Sequence, residues 1–269
     1  MEQVFINGER ADSRIPLRAL FFGEGLFETF RYKSRMPIFF DRHYDRMERG
    51  ARLLRIPFVE RDDLAGIVKS AVANSGISDA YVKICLLSGG ALNYYDDASR
   101  GDVAIVVRDY ESRTGPARVC INEFRRISDS PIYGVKSLNY LENIIARREA
   151  RLNGYDEAVF LNERGEIAEG TASNIFWVKK DTLYTPSVEC GILPGIIREI
   201  LIDSVNALGL GVEEGGYYPE SITGSRFAFL TNSLSGSMLI FQLGNAEFPL
   251  DDGLYETIKK RVITGLGWV

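Results

Sequence analysis

Strand-like segments and amphipathic helices are mixed along this chain without the strict alternation that a doubly wound parallel sheet requires. No GxGxxG motif follows a strand, and no GxxxxGK(S/T) motif occurs, so the nucleotide-binding folds are not supported. A length of 269 residues is enough for about two domains with buried cores. The pattern therefore predicts an α+β fold in two domains.

The first part of the chain is predicted to combine short strands with two helices. Val4–Ile6 followed by Asn7-Gly8 is typical of a strand that enters a hairpin turn. Helices are predicted after the N-cap Asp41 and over residues 63–74. Further strands are predicted over residues 27–32, 37–40, 81–87 and 103–107.

A polar stretch that ends in Gly-Pro divides the chain and predicts an interdomain linker. The predicted bounds are a small N-terminal α/β domain over 1–108, a linker over 109–116 and a larger C-terminal domain over 117–269.

In the second part, a long amphipathic helix is predicted over Leu138–Leu152, and another over 195–208 that ends at Gly209. The predicted apolar positions of the long helix are Leu138, Leu141, Ile145 and Leu152. Strands are predicted over residues 117–122, 157–161, 166–169, 174–178, 227–230 and 238–241.

Composition narrows the classes of function. The net charge of −5 argues against nucleic acid as the main partner, because binding phosphate backbones needs a basic field. His43 is the only histidine, which makes histidine triads and multi-histidine metal sites improbable, and no metal site is expected. Three widely spaced cysteines, no apolar run of membrane-spanning length and no secretory signal predict a cytoplasmic protein without a membrane partner.

Lys136 stands between an apolar strand-like approach and the predicted start of the long helix. The positive end of a helix dipole favours the neutral amine, which is the nucleophilic form that a Schiff-base lysine needs. A solvated lysine beside a helix cap is the alternative for an isolated lysine.

The segment Lys136-Ser137-Leu138-Asn139 resembles the cofactor-lysine motif of the class IV (fold type IV) pyridoxal-phosphate (PLP) enzymes. That family includes branched-chain and D-amino acid aminotransferases and aminodeoxychorismate lyases. Other similar motifs occur in the family's order, at 22–29 (FGEGLFET), 43–47 (HYDRM), 154–158 (GYDEA), 169–176 (EGTASNIF) and 191–198 (GILPGIIR). The resemblance implies the two-domain D-amino acid aminotransferase-like fold, with PLP as cofactor.

The resemblance also implies roles for individual residues. Lys136 would carry the cofactor covalently and move the proton at the substrate carbon. Glu169 would hold the pyridine nitrogen protonated, and Arg46 would bind the phosphate as a planar donor. Tyr140 either donates to the phenolic oxygen of the cofactor or only packs at the helix start.

The helix start at Gly195, Ile196 and Ile197 would complete the phosphate site with backbone amides, and Ser233 matches a second phosphate-contacting position. Ile197 replaces the threonine of the common LPGITR form, so one hydroxyl contact is missing.

Within the family, Thr29 and Asn232 match active-site positions of the lyase branch. They predict the elimination of pyruvate from aminodeoxychorismate, which gives 4-aminobenzoate for folate biosynthesis. Leu87 occupies the position where many relatives have a carboxylate-binding arginine, and Lys83 and Arg31 are possible substitutes. A class IV aminotransferase acting on D-amino acids or branched-chain amino acids is therefore the alternative.

Two other classes remain open at this point: a homologue that has lost turnover, and an interaction module without a cofactor. The second leaves the ordered motifs unexplained. The resemblance further implies a homodimer that acts on a small-molecule amine.

Overall fold

The structure is a computed structural model that describes residues 5–6, 9–10, 15–112, 115–250 and 252–268. The chain forms two compact units. The first consists of the described residues of 1–36, 40–110 and 135–139, and the second of those of 37–39, 111–134 and 140–269. The short segment that contains Lys136 thus belongs to the first unit. The predicted domain bounds stay a prediction.

The helices are α1 (Leu17–Phe22), α2 (Phe40–Leu53), α3 (Arg61–Ser75), α4 (Leu141–Leu152), α5 (Ile196–Ser204) and α6 (Gly253–Leu266). The strands are β1 (Phe5–Ile6), β2 (Glu9–Arg10), β3 (Gly25–Lys33), β4 (Asp79–Gly89), β5 (Arg100–Asp109), β6 (Ala117–Arg126), β7 (Glu157–Asn162), β8 (Ile167–Gly170), β9 (Asn174–Lys179), β10 (Thr182–Pro186), β11 (Gly211–Gly215), β12 (Phe227–Asn232), β13 (Gly236–Leu243) and β14 (Ala246–Glu247). The predicted mixture of helices and strands is confirmed.

In the first unit, β3, β4 and β5 form an antiparallel sheet with β4 in the middle. Successive side chains of a strand point to opposite faces, and burial alternates accordingly along β4. One face packs Phe30, Val82 and Ile84 against Met47 of α2 and Val68 of α3. The core of this unit lies between that face and the two helices.

In the second unit, one large mixed sheet has the strand order β11-β10-β9-β12-β13-β6-β7-β8, and β14 pairs with β13. Strand β6 runs parallel to both β7 and β13, although these strands lie far apart in the sequence. One face of the sheet packs Phe176 and Phe229 with α5 and α6. The opposite face buries Trp177, Leu230 and Ile240.

Two details of the first-unit predictions are wrong. Helix α2 begins at Phe40, so Asp41 lies in its first turn and not at its N-cap. The strand predicted over 37–40 does not form, since Pro37 has no N–H for a strand ladder and residues 38–39 turn into α2. Strands β1 and β2 pair as a hairpin would, but the predicted turn residues Asn7 and Gly8 lie outside the described residues.

Helix α4 starts later than predicted, at Leu141 with Tyr140 as its N-cap. Residues ahead of it follow an extended path, because Leu138 donates its backbone N–H to the carbonyl of Gly25 at 2.9 Å. Hydrogen bonds to a distant strand thus replace the first helical turn expected from the sequence.

The apolar positions predicted for α4 do not form its buried face. Ala146 and Ala150 are buried with Phe160 of β7, whereas Leu141 is 65% exposed and Leu152 is 87% exposed. Alanines allow a close approach of helix to sheet, and the larger apolar side chains are left on the outer side of α4.

The end of the second predicted helix is confirmed. Helix α5 is followed by a 3₁₀ turn over Val205–Leu208, and Gly209 ends it with a positive φ of 75°. The C-terminal helix α6 had no counterpart among the predictions. No helix in the described part of the chain is long and apolar enough to cross a membrane.

Candidate active site

The face of the β3–β5 sheet that points away from α2 and α3 is called the outer face here. It carries Phe27 and Thr29 of β3 and Lys83 of β4, because these residues alternate with the core-facing ones. Thr29 and Lys83 are direct cross-strand partners. The Nζ atom of Lys83 lies 4.5 Å from the centre of the Phe27 ring.

Lys136 is fixed beside the same strand. Its carbonyl accepts the backbone N–H of Phe27 at 2.8 Å, and Ser137 forms an antiparallel bridge with Leu26. The Nζ atom of Lys136 lies 4.4 Å from the Phe27 ring centre, a distance typical of a cation–π contact. The amine of Lys136 and the hydroxyl-bearing Thr29 therefore belong to one face of one sheet.

The expected effect of a helix dipole on Lys136 is not supported, because α4 begins at Leu141 and a dipole effect falls off within the first turn. Backbone pairing with β3, and not a helix terminus, fixes this lysine.

Behind the outer face, Glu28 is the centre of a buried cluster. Its carboxylate accepts two hydrogen bonds from the Arg46 guanidinium, both at 2.7 Å, and lies 2.7 Å from Nδ1 of His43. Burial raises the pKa of Glu28, but the charge of Arg46 and the hydrogen bonds from Arg46 and His43 outweigh it and lower the pKa to about 2. Burial lowers the pKa of His43, so the neutral imidazole donates its Nδ1 proton to the carboxylate.

Arg46 thus has a structural partner that the sequence did not indicate. Two of its N–H groups bind Glu28, and the guanidinium is 6% exposed. Its predicted contact with the cofactor phosphate stays a prediction. His43, for which only a structural role was expected, lies with Arg46 around the same carboxylate.

In the second unit, Glu169 accepts hydrogen bonds from three separate segments. Arg126 donates to Oε1 at 2.5 Å, while the Asn174 side chain and the backbone N–H of Leu193 donate to Oε2 at 3.1 Å each. These three bonds orient the Glu169 carboxylate, whose oxygens act as acceptors for donors from separate segments.

Arg126 is a buried partner of Glu169 that no motif in the sequence indicates. It is 1% exposed, and its guanidinium lies 4.1 Å from the ring centre of Phe160 and 4.7 Å from that of Tyr133. No spacing or motif distinguishes Arg126 from the other arginines of the chain. Only the strand order, in which β7 lies between β6 and β8, reveals that the end of β6 is within reach of Glu169 on β8.

Tyr140 is largely buried at the start of α4. Its hydroxyl donates to the carbonyl of Thr171 at 2.7 Å, and Asn143 donates to the same oxygen at 2.7 Å. Burial and the charges of Glu169 and Glu157 raise the pKa of Tyr140, so it remains a hydrogen-bond donor. This contact agrees with the packing role; the proposed bond to the cofactor stays a prediction.

The first turn of α5 has the features of an anion site. Gly195 is its N-cap and provides no side-chain bond, so the first N–H groups at Ile196 and Ile197 keep the orientation that helix starts offer to anions. A Cβ atom at Gly195 would lie 2.0 Å from Oδ1 of Asn174, which explains why glycine is needed there.

Asn232 and Ser233 lie at the turn between β12 and β13. The Oδ1 atom of Asn232 accepts the backbone N–H groups of Leu234 at 3.0 Å and Ser235 at 2.8 Å. Asn232 therefore shapes this turn, and its Nδ2 group is the one that a substrate role would use.

The predicted site residues fall into two groups. The first unit holds Lys136, Thr29 and Arg46; the second holds Glu169, Tyr140, Gly195, Ile196, Ile197, Asn232 and Ser233. Within the described residues, no group of three or more histidine, cysteine or acidic side chains is arranged to hold a metal ion.

The class IV aminotransferase family pattern matches residues 25–242, and the chain belongs to this family of PLP-dependent enzymes. The predicted fold type IV architecture and the predicted PLP cofactor are thereby confirmed.

Individual relatives fall on both branches of the family. Aminodeoxychorismate lyase of Bacillus subtilis is 29% identical over 243 residues, 86% of this chain and 83% of its own length. A crystal structure from Legionella pneumophila, of a candidate 4-amino-4-deoxychorismate lyase, is 32% identical with a TM-score of 0.88 and covers 92% of this chain and 93% of its own. The PLP form of branched-chain amino acid aminotransferase from Thermobaculum terrenum is 25% identical with a TM-score of 0.84, and covers 96% of this chain and 90% of its own.

The residues of the second unit fit the cofactor. A protonated ring nitrogen brings one donor, and the Glu169 carboxylate can accept it. A phosphate brings acceptors only, which suits the first N–H groups of α5 and the close approach allowed by Gly195. The donor and acceptor sets are therefore complementary to PLP.

The Glu28 cluster predicts an acid-sensitive fold. Because the folded-state pKa of about 2 lies below the ordinary value of 4.5, the unfolded chain binds a proton first as the pH falls. The stability that Glu28 contributes, on the order of 3 kcal/mol, is present above about pH 4.5 and is lost towards pH 2. Denaturant titrations of wild type and Glu28→Gln from pH 7 to pH 3 measure this difference.

We expect Glu28→Gln to be less stable at pH 7 and to lose less stability than wild type below pH 4.5. In the same region, Glu48→Gln breaks only a surface pair with Arg52 and should stay within about 1 kcal/mol of wild type at pH 7. Parallel pH curves for wild type and Glu28→Gln would refute the assignment.

Proposed function

We propose that this chain is a 4-amino-4-deoxychorismate lyase, which eliminates pyruvate from its substrate and leaves 4-aminobenzoate. The carrying observation is that Lys136 and Thr29 share the outer face of one sheet. Thr29 and Asn232 match the lyase branch, and the lyase relatives from Bacillus subtilis and Legionella pneumophila support the same choice.

When bound, PLP supplies an electron sink that stabilises negative charge at the reacting carbon. Lys136 would hold the cofactor through its Nζ, and the same amine would take the proton from ring carbon 4 of the substrate. Glu169 would accept the hydrogen bond of the ring nitrogen and keep that nitrogen protonated. Thr29 orients the leaving group or the water beside it, and Asn232 does so through Nδ2.

Lys83 is the residue that we assign to the substrate carboxylate. Among the described residues it forms no ion pair, and its contact is with the Phe27 ring on the outer face. Leu87, four residues further along β4, lies on that face as well, so an amine is available where the usual arginine is missing.

Arg31 is the weaker candidate for that role. Its guanidinium donates to both oxygens of Asp79 at 2.6 and 2.5 Å and lies over the Tyr110 ring. A substrate would have to displace Asp79 before it could use this arginine.

A class IV aminotransferase is the second candidate function. The branched-chain aminotransferase relatives favour it, because their similarity also covers most of the chain. The two functions share Lys136 and Glu169 and differ in the bond that is broken: the lyase releases pyruvate, whereas the transaminase moves the amino group to a keto acid.

The exposed side of α4 supports the expected homodimer. Leu141, Ile144, Ile145 and Leu152 are 65%, 38%, 37% and 87% exposed and form an apolar stripe of a kind that usually marks an interface. We propose that a second copy of the chain covers this stripe, and that the dimer works in the cytoplasm.

Product analysis tests the proposed reaction. Purified enzyme incubated with aminodeoxychorismate should release 4-aminobenzoate and pyruvate in equal amounts. Lys136→Ala should release neither, and borohydride should attach the cofactor to Lys136 in the wild type only. Turnover of an amino acid with 2-oxoglutarate, without 4-aminobenzoate, would assign the chain to the aminotransferases.

Substitution of Lys83 tests the carboxylate assignment. Lys83→Met should raise the KM for aminodeoxychorismate by about tenfold or more, because a charged hydrogen bond contributes roughly 1.5–3 kcal/mol. Lys83→Arg should retain most of the affinity, and Arg31→Met is the matched control with an unchanged KM. A KM that responds to Arg31 and not to Lys83 would exchange the two roles.

The molecular mass in solution tests the proposed dimer. Ile145→Asp should shift the wild-type dimer towards the monomer in analytical ultracentrifugation, because a charge would be buried in the interface. Leu53→Asp alters a leucine of α2 that is 55% exposed and should leave the mass unchanged. A wild-type monomer at micromolar concentration would rule out this interface.

A further inference from the structure

Three polar side chains form a row at one end of the large sheet. Thr231 of β12 lies directly opposite Asn174 of β9 on one side and Ser237 of β13 on the other. Two residues before Thr231, Phe229 packs in the apolar cluster that contains Ile196 and Ile197 of α5. Because strand side chains alternate, Thr231 points to the same side of the sheet as Phe229, towards α5.

The Asn174 end of this row lies next to the start of α5. Asn174 donates to the carbonyl of Leu193 at 2.9 Å, and its Oδ1 occupies the space where a Cβ of Gly195 would be. Thr231 is the direct strand partner of Asn174, so its side chain is the neighbour of Asn174 on the side away from the helix start.

Thr231 is 2% exposed, and within the described part of the chain its Oγ1 has no hydrogen-bond partner. Leaving a hydroxyl buried and unpaired is unfavourable, so most buried hydroxyls are bonded. Thr185 in the same sheet shows the usual situation, since its buried hydroxyl donates to the carbonyl of Ile175 at 2.9 Å. The Thr231 hydroxyl therefore lacks a structural explanation.

The sequence also lacks a hydroxyl that the family motif usually has at the start of α5. Ile197, in the first turn of α5, stands where the common form of the motif has threonine, and it is 1% exposed in the apolar cluster. A phosphate ester presents acceptor oxygens only, and an O–H group without a partner is a matching donor.

We propose that the hydroxyl of Thr231 donates a hydrogen bond to the phosphate group of the cofactor and replaces the contact that Ile197 cannot make. Helix α5 supplies backbone N–H groups from one side of the phosphate, and Thr231 supplies an O–H from the sheet. The inference rests on PLP as the cofactor and is independent of whether the enzyme is a lyase or a transaminase.

Thr231→Val tests the inference, because valine has nearly the shape of threonine without its hydroxyl. The dissociation constant of PLP, measured by absorbance on the full-length apoprotein, should rise about tenfold. Binding of pyridoxal, which lacks the phosphate, should change by less than about twofold. Pyridoxal binding is also measured with added inorganic phosphate. This measurement shows whether Thr231 acts only on a phosphate attached to the cofactor or also on a free phosphate ion in the same place.

The apoprotein gives a second readout that does not involve catalysis. Thr231→Val should raise the melting temperature of the apoprotein by about 2 °C, since it removes an unpaired buried hydroxyl. Thr185→Val is the matched control: it should lower the melting temperature, because it leaves the Ile175 carbonyl without its donor, and should not change the PLP-to-pyridoxal ratio.

The double variant Ile197→Thr/Thr231→Val returns a hydroxyl to the helix side and should restore the preference for PLP over pyridoxal. An unchanged PLP affinity in Thr231→Val, or an equal loss for PLP and pyridoxal, would overturn the proposal. If the double variant still bound PLP weakly, a hydroxyl at position 197 could not replace the one at position 231, and this part of the proposal would be contradicted. If the wild type itself bound no PLP, the cofactor assignment would fail, and the two failures are therefore distinguishable.

Discussion

The carboxylate of Glu169 joins the segments on which the larger unit depends. Arg126 reaches it from the end of β6, Asn174 from β9, and the backbone of Leu193 from the loop ahead of α5. Removing one partner of a buried ion pair is strongly unfavourable, so this arrangement links the strand order to the position of the α5 start. The residue proposed to bind the ring nitrogen is thus also the residue that organises the surrounding backbone.

The smaller unit also contains a buried carboxylate with several hydrogen-bond partners, and there it attaches a helix to a strand. Glu28 binds Arg46 and His43 of α2 and so attaches that helix to the back of β3. The front of β3 then carries Thr29, while Lys136 is held alongside by backbone bonds to Phe27. In both units, a buried carboxylate accepts hydrogen bonds from side chains of other elements and so fixes the backbone around it. Side chains on rigid strands are positioned more precisely than side chains on loops.

At two positions where the chain departs from the family motifs, another residue offers a substitute for the missing donor. Leu87 removes a guanidinium from the outer face, and Lys83 places an amine on that face two side-chain rows away. Ile197 removes a hydroxyl from the first turn of α5, and Thr231 offers one from the facing sheet. Leu87 and Lys83 lie four residues apart on one face of β4, whereas Ile197 and Thr231 lie far apart in the sequence, on α5 and on the strand β12 that packs against it.

The sequence alone determined the mixture of helices and strands and the ordered family motifs, because local periodicity and motif spacing are properties of neighbouring residues. It also predicted Lys136 and Glu169 as the principal site residues. It could not determine that Lys136 lies in an extended segment beside β3, that α4 turns its alanines and not its leucines inward, or that Arg126 binds Glu169. Those features depend on hydrogen bonds and packing between residues far apart in the chain. The parallel pairing of β6 with β7 brings Arg126 within reach of Glu169, and only the tertiary structure decided that pairing.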